Sequence, residues 1–451
     1  AAAFSMSSLE ALLERHKELD AEAERVIRER DDLLVRIEVE RERQAGGAAA
    51  KRARRESSSS CEPIKHLLCS DVQADVAARR AAGKILPFGA PGRQPRVYVD
   101  GCFDMMHSGH FNAVRQAKLL ADQVGGLLVV GVHSDEEILR NKGPAVTKND
   151  ERLAVVSAVK WVDELIFETP YTASLSFLDS IDADFCVHGD DTSINADGTD
   201  AYGEAKKAGR IKIVKRTEGV STTDIVGRLL MLTRSAHAQP VDDIAPSVGC
   251  CVSSTVTQEP SEAGYVGANV SSTGVSQFLP TTWRLRQFSS GRAPQPGQRV
   301  VYTDGAFDIL HAGHVGALFA ARRKGDFLLV GLHDDATVSK ACGQNHPIMS
   351  LHERAMSLLS LGCVDDVILG APYRVSSDLI CTMNISTVVR SPDDPAAINA
   401  ISSTNTNAGG APLSTLSPDR WAKAKELGLF QECEINHPMT LRAIVQRGIE
   451  R

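Results

Sequence analysis

Val97-Tyr98-Val99-Asp100-Gly101-Cys102-Phe103-Asp104 runs, after two methionines, into His107-Ser108-Gly109-His110. The string returns as Val301-Tyr302-Thr303-Asp304-Gly305-Ala306-Phe307-Asp308 and His311-Ala312-Gly313-His314, with nine of fourteen positions identical. Further matches follow in the same order: Val130-Gly131-Val132-His133 with Val330-Gly331-Leu332-His333, Glu151-Arg152 with Glu353-Arg354, and Pro170-Tyr171 with Pro372-Tyr373. Order kept over such a distance identifies a duplicated domain rather than a chance motif. In the first copy, short apolar runs predict strands over 97–99, 127–132, 164–167, 185–188 and 211–215. Helical patterns over 109–120, 134–140, 150–159 and 225–232 alternate with them. The alternation predicts an α/β fold: a parallel sheet with helices on both faces, in each of two domains. Ligands of such sheets bind outside the carboxyl ends of the strands, where both histidine motifs fall.

The chemistry starts from His107 and His110. Their spacing of three puts both imidazoles on one face of a helix start. Gly109 between them lets a phosphate chain approach the backbone, and the helix amides add partial positive charge. Two imidazole donors beside that dipole suit a triphosphate whose charge grows as pyrophosphate departs. A pair of hydrogen-bonded histidines capping a helix is the structural alternative; duplication, the preceding buried strand and Gly101 weigh against it. Lys142, in a loop after the second helix, can reach phosphates as a mobile point charge, or stand as an ordinary surface lysine. Arg216-Thr217-Glu218-Gly219-Val220-Ser221-Thr222-Thr223-Asp224 joins a strand to a helix. Its hydroxyls read as N-caps, and with Arg216 and open backbone amides also as an anion clamp; the two readings are compatible.

The H-x-G-H and R-T-x-G-x-S-T pair resembles the cytidylyltransferase family. Lys160-Trp161-Val162-Asp163-Glu164, Phe185-Cys186-Val187-His188-Gly189-Asp190 and Gln277-Phe278-Leu279-Pro280-Thr281 extend the likeness over about Arg96 to Gln446. The resemblance implies two Rossmann-like nucleotidyltransferase domains. It implies transfer of CMP from CTP to phosphoethanolamine, giving CDP-ethanolamine and pyrophosphate without a protein nucleophile. It assigns His107, His110, Lys142 and Arg216 to charge stabilisation. Gly101, Cys102, Phe103, Arg152, Thr217, Ser221 and Thr222 fall to the nucleotide. Asp100, Tyr171 and His188 fall to the phospho-amine, where Tyr171 in simple packing is the alternative. Mg2+ on the triphosphate is the expected cofactor. Cytoplasmic location, peripheral attachment to the endoplasmic reticulum and a homodimer are further expectations. Choline-phosphate or glycerol-phosphate cytidylyl transfer and a non-catalytic nucleotide-binding scaffold stay open beside this reading.

The second copy keeps Asp304, Phe307, His311, Gly313 and His314. Cys342 stands where Lys142 does, Arg390-Ser391-Pro392 replaces His188-Gly189-Asp190, and the arginine clamp gives way to Ile435-Asn436-His437-Pro438-Met439-Thr440. Ala306, Phe307, His311 and His314 are therefore expected to form at most a second, catalytically weak nucleotide site. The domains are expected at 94–234 and 275–451, joined by a linker over 235–274, with Phe288 and its apolar neighbours packed on the second. Residues 1–60 read as a charged helix over 9–44, a coiled-coil strand or a lone solvated helix, followed by a Gly/Ala/Arg/Ser link. The net charge of −7 argues against a protein built to bind nucleic-acid backbones. Ten scattered cysteines without a C-x-x-C pair fit free thiols. No apolar run is long enough to span a membrane, and Ala1–Ser5 lacks the features of a signal peptide.

Overall fold

The computed structural model describes residues 62–87, 90–191, 194–195, 197–217, 220–234, 284–342, 346–390, 419–432 and 439–450. The N-terminal helix, the 235–274 linker, Phe278 and Trp283 lie outside them. The first repeat runs β1 (His66–Leu68), α1 (Cys69–Ala81), β2 (Arg96–Gly101), α2 (Ser108–Gln123), β3 (Leu127–Val132), α3 (Asp135–Asn141), α4 (Asn149–Ser157), β4 (Glu164–Phe167), α5 (Leu175–Ser180), β5 (Phe185–Gly189), α6 (Gly203–Lys207), β6 (Ile211–Val214) and α7 (Thr222–Arg234). The second runs β7 (Val300–Gly305), α8 (Ala312–Arg322), β8 (Phe327–Leu332), α9 (Asp335–Cys342), α10 (Leu351–Leu359), β9 (Asp366–Leu369), α11 (Ser377–Thr382), β10 (Ile385–Val389), α12 (Ala422–Glu426), β11 (Phe430–Gln431) and α13 (Leu441–Glu450).

The strand orders are β1-β4-β3-β2-β5-β6 and β11-β10-β7-β8-β9, parallel throughout. Val97, Tyr98, Leu128 and Val129 are fully buried, as strands covered on both faces require. Chain order reverses beside β2, between β3 on one side and β5 on the other, so the first histidine motif leaves the sheet at the switch point. Gly131 permits a close approach across that pair: a Cβ there would collide with the Tyr98 hydroxyl, and Gly331 stands likewise to Tyr302. β1 and α1 precede the boundary expected at position 94. All three β1 side chains are exposed, so no apolar alternation announces the strand; it joins the sheet edge through its backbone.

The repeats share one core and pack reciprocally. α2 lies on α10, α8 lies on α4, and α7 pairs with α13. Each histidine-motif helix thus rests on the Glu-Arg helix of the other copy, the pattern of an isologous dimer within one chain. Val159 and Leu361 form an antiparallel bridge, with Lys160 N–H donating to the Ser360 carbonyl and Gly362 N–H to the Ala158 carbonyl. Phe288, expected on the second domain, lies in the shared core and meets the first repeat, while Ser290 and Arg292 just beyond it hold Asp365 of the second. The Phe288 ring meets Trp161 edge-on at 5.3 Å and lies under the Arg115 guanidinium at 5.6 Å, and its carbonyl accepts from the Lys160 ammonium. An aromatic and two cations of the first repeat form its socket.

Arg447 of α13 grips Glu151 of α4 through two bonds of 2.6 and 2.9 Å. Burial pushes the Glu151 carboxyl up, but the Arg447 hydrogen bonds outweigh it and hold the pKa below the ordinary 4.5. A depressed carboxyl stabilises the fold above its unfolded value and loses that contribution as pH falls through the folded one. Arg447→Ala is expected to lower unfolding free energy by about 1–3 kcal/mol at pH 7 in urea titrations, with the gap from the parent closing as pH drops below 4.5.

Candidate active site

At the end of β2 the chain turns sharply. Phe103 and Met105 take φ of 50° and 45°, which aims the following residues up into the start of α2. His107 is the N-cap of α2, its Nδ1 accepting from Gly109 N–H at 3.1 Å. That bond leaves the proton on Nε2, the outward donor. His110 stands 4.1 Å away ring to ring, with Phe103 edge-on at 5.9 Å. Burial lowers the His107 pKa to about 4, with Glu353 of the second repeat pulling it up and Arg216 down. Burial also drives His110 well down, helped by the charges of His107, Lys142 and Arg216. Both imidazoles are neutral at pH 7, and His110 Nδ1 is buried without a partner. The structure shows the capping role of His107 directly.

Lys142 is exposed at the C-cap of α3, in a loop fixed by Asp104. That carboxylate accepts from Val146 N–H, Thr147 N–H and the Thr147 hydroxyl at 2.8, 2.8 and 2.5 Å. Arg216 lies half-exposed, paired to Asp191 at 2.9 Å while its N–H donates to Asp190. Thr217 accepts from Asn112 of α2, Ser221 caps α7 through Asp224, and the Thr222 hydroxyl donates to the Asp104 carbonyl at 3.4 Å. Arg216, Thr217 and Ser221 line a cavity of about 260 Å³. A larger cleft of about 500 Å³ opens between the repeats and reaches Ser108 and Thr217. Arg152 does not line either. Its fully buried guanidinium donates to the Cys102 carbonyl, Asp135 and Asn149, so it positions the Gly101–Phe103 turn from behind. Gly101 abuts the Phe103 ring, where a Cβ would lie at 3.2 Å. Burial raises the Cys102 thiol.

Asp100, Tyr171 and His188 come together on the sheet side of this turn, with His133 and Tyr202 between them. Tyr202 donates its hydroxyl to Asp100 Oδ1 at 2.5 Å and stacks on His188 at 4.2 Å. Tyr171 faces His133 at 5.4 Å. His133 Nδ1 lies 3.0 Å from the Thr169 carbonyl, which can only accept, so Nε2 is the ring's acceptor. Asp100 Oδ2 is buried and makes no hydrogen bond, as is true of Asp304 Oδ2 in the second repeat. The sequence does not single out His133 and Tyr202 as site residues. His133 has a usable signal, since its Val-Gly-x-His run is duplicated.

In the second repeat His311 and His314 stack at 3.7 Å and cap each other's backbone, each N–H donating to the other's Nδ1 at 3.4 Å. The Met439 carbonyl closes over Gly313, so near that a Cβ there would collide with it. Ala306 gives its carbonyl to Arg354, and Phe307 is buried beside His314. An acceptor thus lies over Gly313, where the first repeat sets the apolar Val220 side chain against Gly109.

Among the described residues, no group of three or more His, Cys, Asp or Glu surrounds a metal position. None of their helices is long and apolar enough to cross a membrane. Residues 98–228 and 302–408 match the cytidylyltransferase-like family. The chain is 44% identical over 360 residues to an ethanolamine-phosphate cytidylyltransferase of Dictyostelium discoideum, covering 79% of this chain and 91% of the relative. It is 52% identical over 308 residues to that of Arabidopsis thaliana, covering 66% and 70%. Choline-phosphate cytidylyltransferase A of Rattus norvegicus is 41% identical over 143 residues, 32% of this chain and 38% of the relative. A likeness running through both repeats sets the first two apart from the third, and the chain belongs to the cytidylyltransferase-like family, among the ethanolamine-phosphate cytidylyltransferases.

Proposed function

We propose that the first repeat transfers CMP from CTP to phosphoethanolamine. A phosphate oxygen of phosphoethanolamine attacks the α-phosphorus of CTP in line. The bond from that phosphorus to the bridging oxygen breaks, and pyrophosphate leaves with the electron pair. No side chain is a nucleophile, so positioning and charge stabilisation carry the rate. The observation that carries this reading is the convergence on one helix start: His107 and His110 lie ring to ring at the N-terminus of α2, Arg216 acts on both, and Lys142 acts on His110. His107 Nε2–H donates to the triphosphate. The N-terminal end of α2 draws phosphate oxygens, with Thr217, Ser221 and Thr222 on the α7 side. Arg216 leaves Asp191 for the incoming anion. Gly101, Cys102 and Phe103 offer backbone to the nucleotide while Arg152 holds their turn. Mg2+ bound with the triphosphate would neutralise phosphate charge there.

The amine faces Asp100, whose carboxylate holds the Tyr202 hydroxyl beside His188, with the His133–Tyr171 pair at the end of the adjacent strand β3. A primary ammonium can donate to both Asp100 and His133 Nε2. A trimethylammonium group has no N–H to give, which favours ethanolamine over choline here. Residence in the cytoplasm, peripheral at the endoplasmic reticulum, and assembly as a homodimer complete the proposal; flotation with membranes and sizing in solution test them.

Pyrophosphate release from CTP, Mg2+ and each phospho-amine tests the chemistry. His107→Ala and His110→Ala are each expected to lower kcat by about 10²–10³, the usual loss for one preorganised donor, with His311→Ala within about twofold of the parent because repeat two does no chemistry. An inactive parent would leave the scaffold reading standing. Asp100→Asn is expected to raise KM for phosphoethanolamine by about 10–100-fold, the worth of a charge-assisted hydrogen bond, while KM for CTP stays put.

A further inference from the structure

The second repeat contains the same amine pocket with a cation already in it. Arg420 donates to Asp304 Oδ1 at 2.7 Å and to the Asp304 carbonyl at 3.4 Å. Its other nitrogen lies 3.3 Å from His333 Nε2, which is the acceptor because Nδ1 faces the Ala371 carbonyl at 3.0 Å. The guanidinium also lies over Tyr373 at 5.2 Å and Trp421 at 4.4 Å. Arginine and aspartate are both buried.

Each partner has a counterpart in the first repeat. Asp304 pairs with Gly331 across β7 and β8 as Asp100 pairs with Gly131 across β2 and β3. His333 faces Tyr373 at 5.7 Å and 45°, as His133 faces Tyr171 at 5.4 Å and 46°. Trp421 N–H donates to Asp419 at 3.0 Å, and Lys425 pairs with the same carboxylate. Tyr202 N–H and Lys206 hold Asp200 in the same manner. This register sets Arg420 opposite Ala201. The first repeat has a buried methyl group there, and its aspartate holds the neutral Tyr202 hydroxyl where Asp304 holds a guanidinium; each carboxylate keeps its Oδ2 without a hydrogen bond.

We propose that Arg420 is an internal surrogate for the substrate ammonium: it fills the amine pocket of the second repeat and closes that repeat to phospho-amines. A buried carboxylate without a counter-cation is costly. The second repeat meets that cost with its own arginine, and the first meets it when the substrate arrives. One residue pair, Ala201 and Arg420, thus separates an amine-accepting copy from an amine-refusing one. This rests on Asp100 being the amine site, as proposed above.

The test moves the arginine into the first copy of the full chain. Ala201→Arg is expected to raise KM for phosphoethanolamine by about 100-fold or more while the CTP dissociation constant changes by less than about threefold. Ala201→Met, of similar reach but uncharged, is expected to lose much less. Equal losses in the two variants would mean that bulk, not charge, closes the pocket, and would overturn the proposal. So would an Ala201→Arg enzyme with the parent's KM. Asp100→Asn, measured alongside, isolates the underlying reading. If it leaves KM unchanged, the amine-site assignment fails; if it raises KM and Ala201→Arg does not, only the surrogate fails. Should Ala201→Arg lose CTP binding and so fail to fold, the reciprocal variant decides. In an Asp100→Asn background, which silences the first site, Arg420→Ala is expected to melt several degrees higher in millimolar ethanolamine, whereas Asp100→Asn alone does not shift. No ethanolamine shift in the double variant rules the surrogate out.

Discussion

A carboxylate buried at the end of a central strand needs a cation, and this requirement organises both repeats. Asp100 and Asp304 end β2 and β7, shielded by the sheet and by aromatic side chains. In such surroundings a charge is held only if it is hydrogen-bonded and matched. The Tyr202 hydroxyl supplies part of the match for Asp100, and Arg420 supplies a full positive charge to Asp304. A few residues further on, the opposite sign is needed. There the amides of α2, Lys142 and Arg216 surround imidazoles that burial keeps uncharged. A negative pocket therefore adjoins a positive rim across one turn, which suits a substrate with an ammonium at one end and a phosphate at the other.

The fold was legible because duplication doubles every signal. Strands over 127–132 and 164–167 have the bounds expected from their apolar runs. The histidine-motif helix extends only a few residues past its expected end. β1 and α1 leave little trace in the sequence because β1 contributes backbone and almost no burial. The contacts of Phe288 with the first repeat were not legible because Arg115 and Trp161 come from distant parts of it. The site was legible where chemistry and spacing coincide, at His107, His110 and the Arg216 segment. It was illegible where a role depends on what a side chain is already holding. Arg152 has the charge of a nucleotide ligand, yet its guanidinium is spent on Cys102, Asp135 and Asn149. Nothing in its sequence neighbourhood distinguishes those uses.

Comparison of the copies separates scaffold from chemistry. Arg354 repeats the contacts of Arg152 to the strand-end turn and the following helix, and Asp308 repeats the grip of Asp104 on two backbone amides. Tyr302 still lies over Gly331. These residues hold the turn in shape whether or not it binds anything. Lys142, Arg216 and the space beside Ala201 are what differ. The retained His311 and His314 belong to the first group: they cap each other's backbone at the start of α8.

The second copy still reaches the first copy's chemistry through the interface. Reciprocal packing brings α10 against α2, and with it Glu353, the leading charge acting on His107 after burial itself. Glu353 is kept ionised there: burial pushes its carboxyl up, but Arg228 of α7, the Ser350 N–H and its hydroxyl pull it below the ordinary value. A carboxylate beside a desolvated imidazole raises the imidazole's proton affinity, opposing Arg216. His107 therefore answers to charges from both halves of the chain. A triphosphate entering the cleft would meet a histidine whose surroundings include a carboxylate from a helix of the second repeat. That makes the degenerate repeat a fixed part of the electrostatic environment in which the first one works.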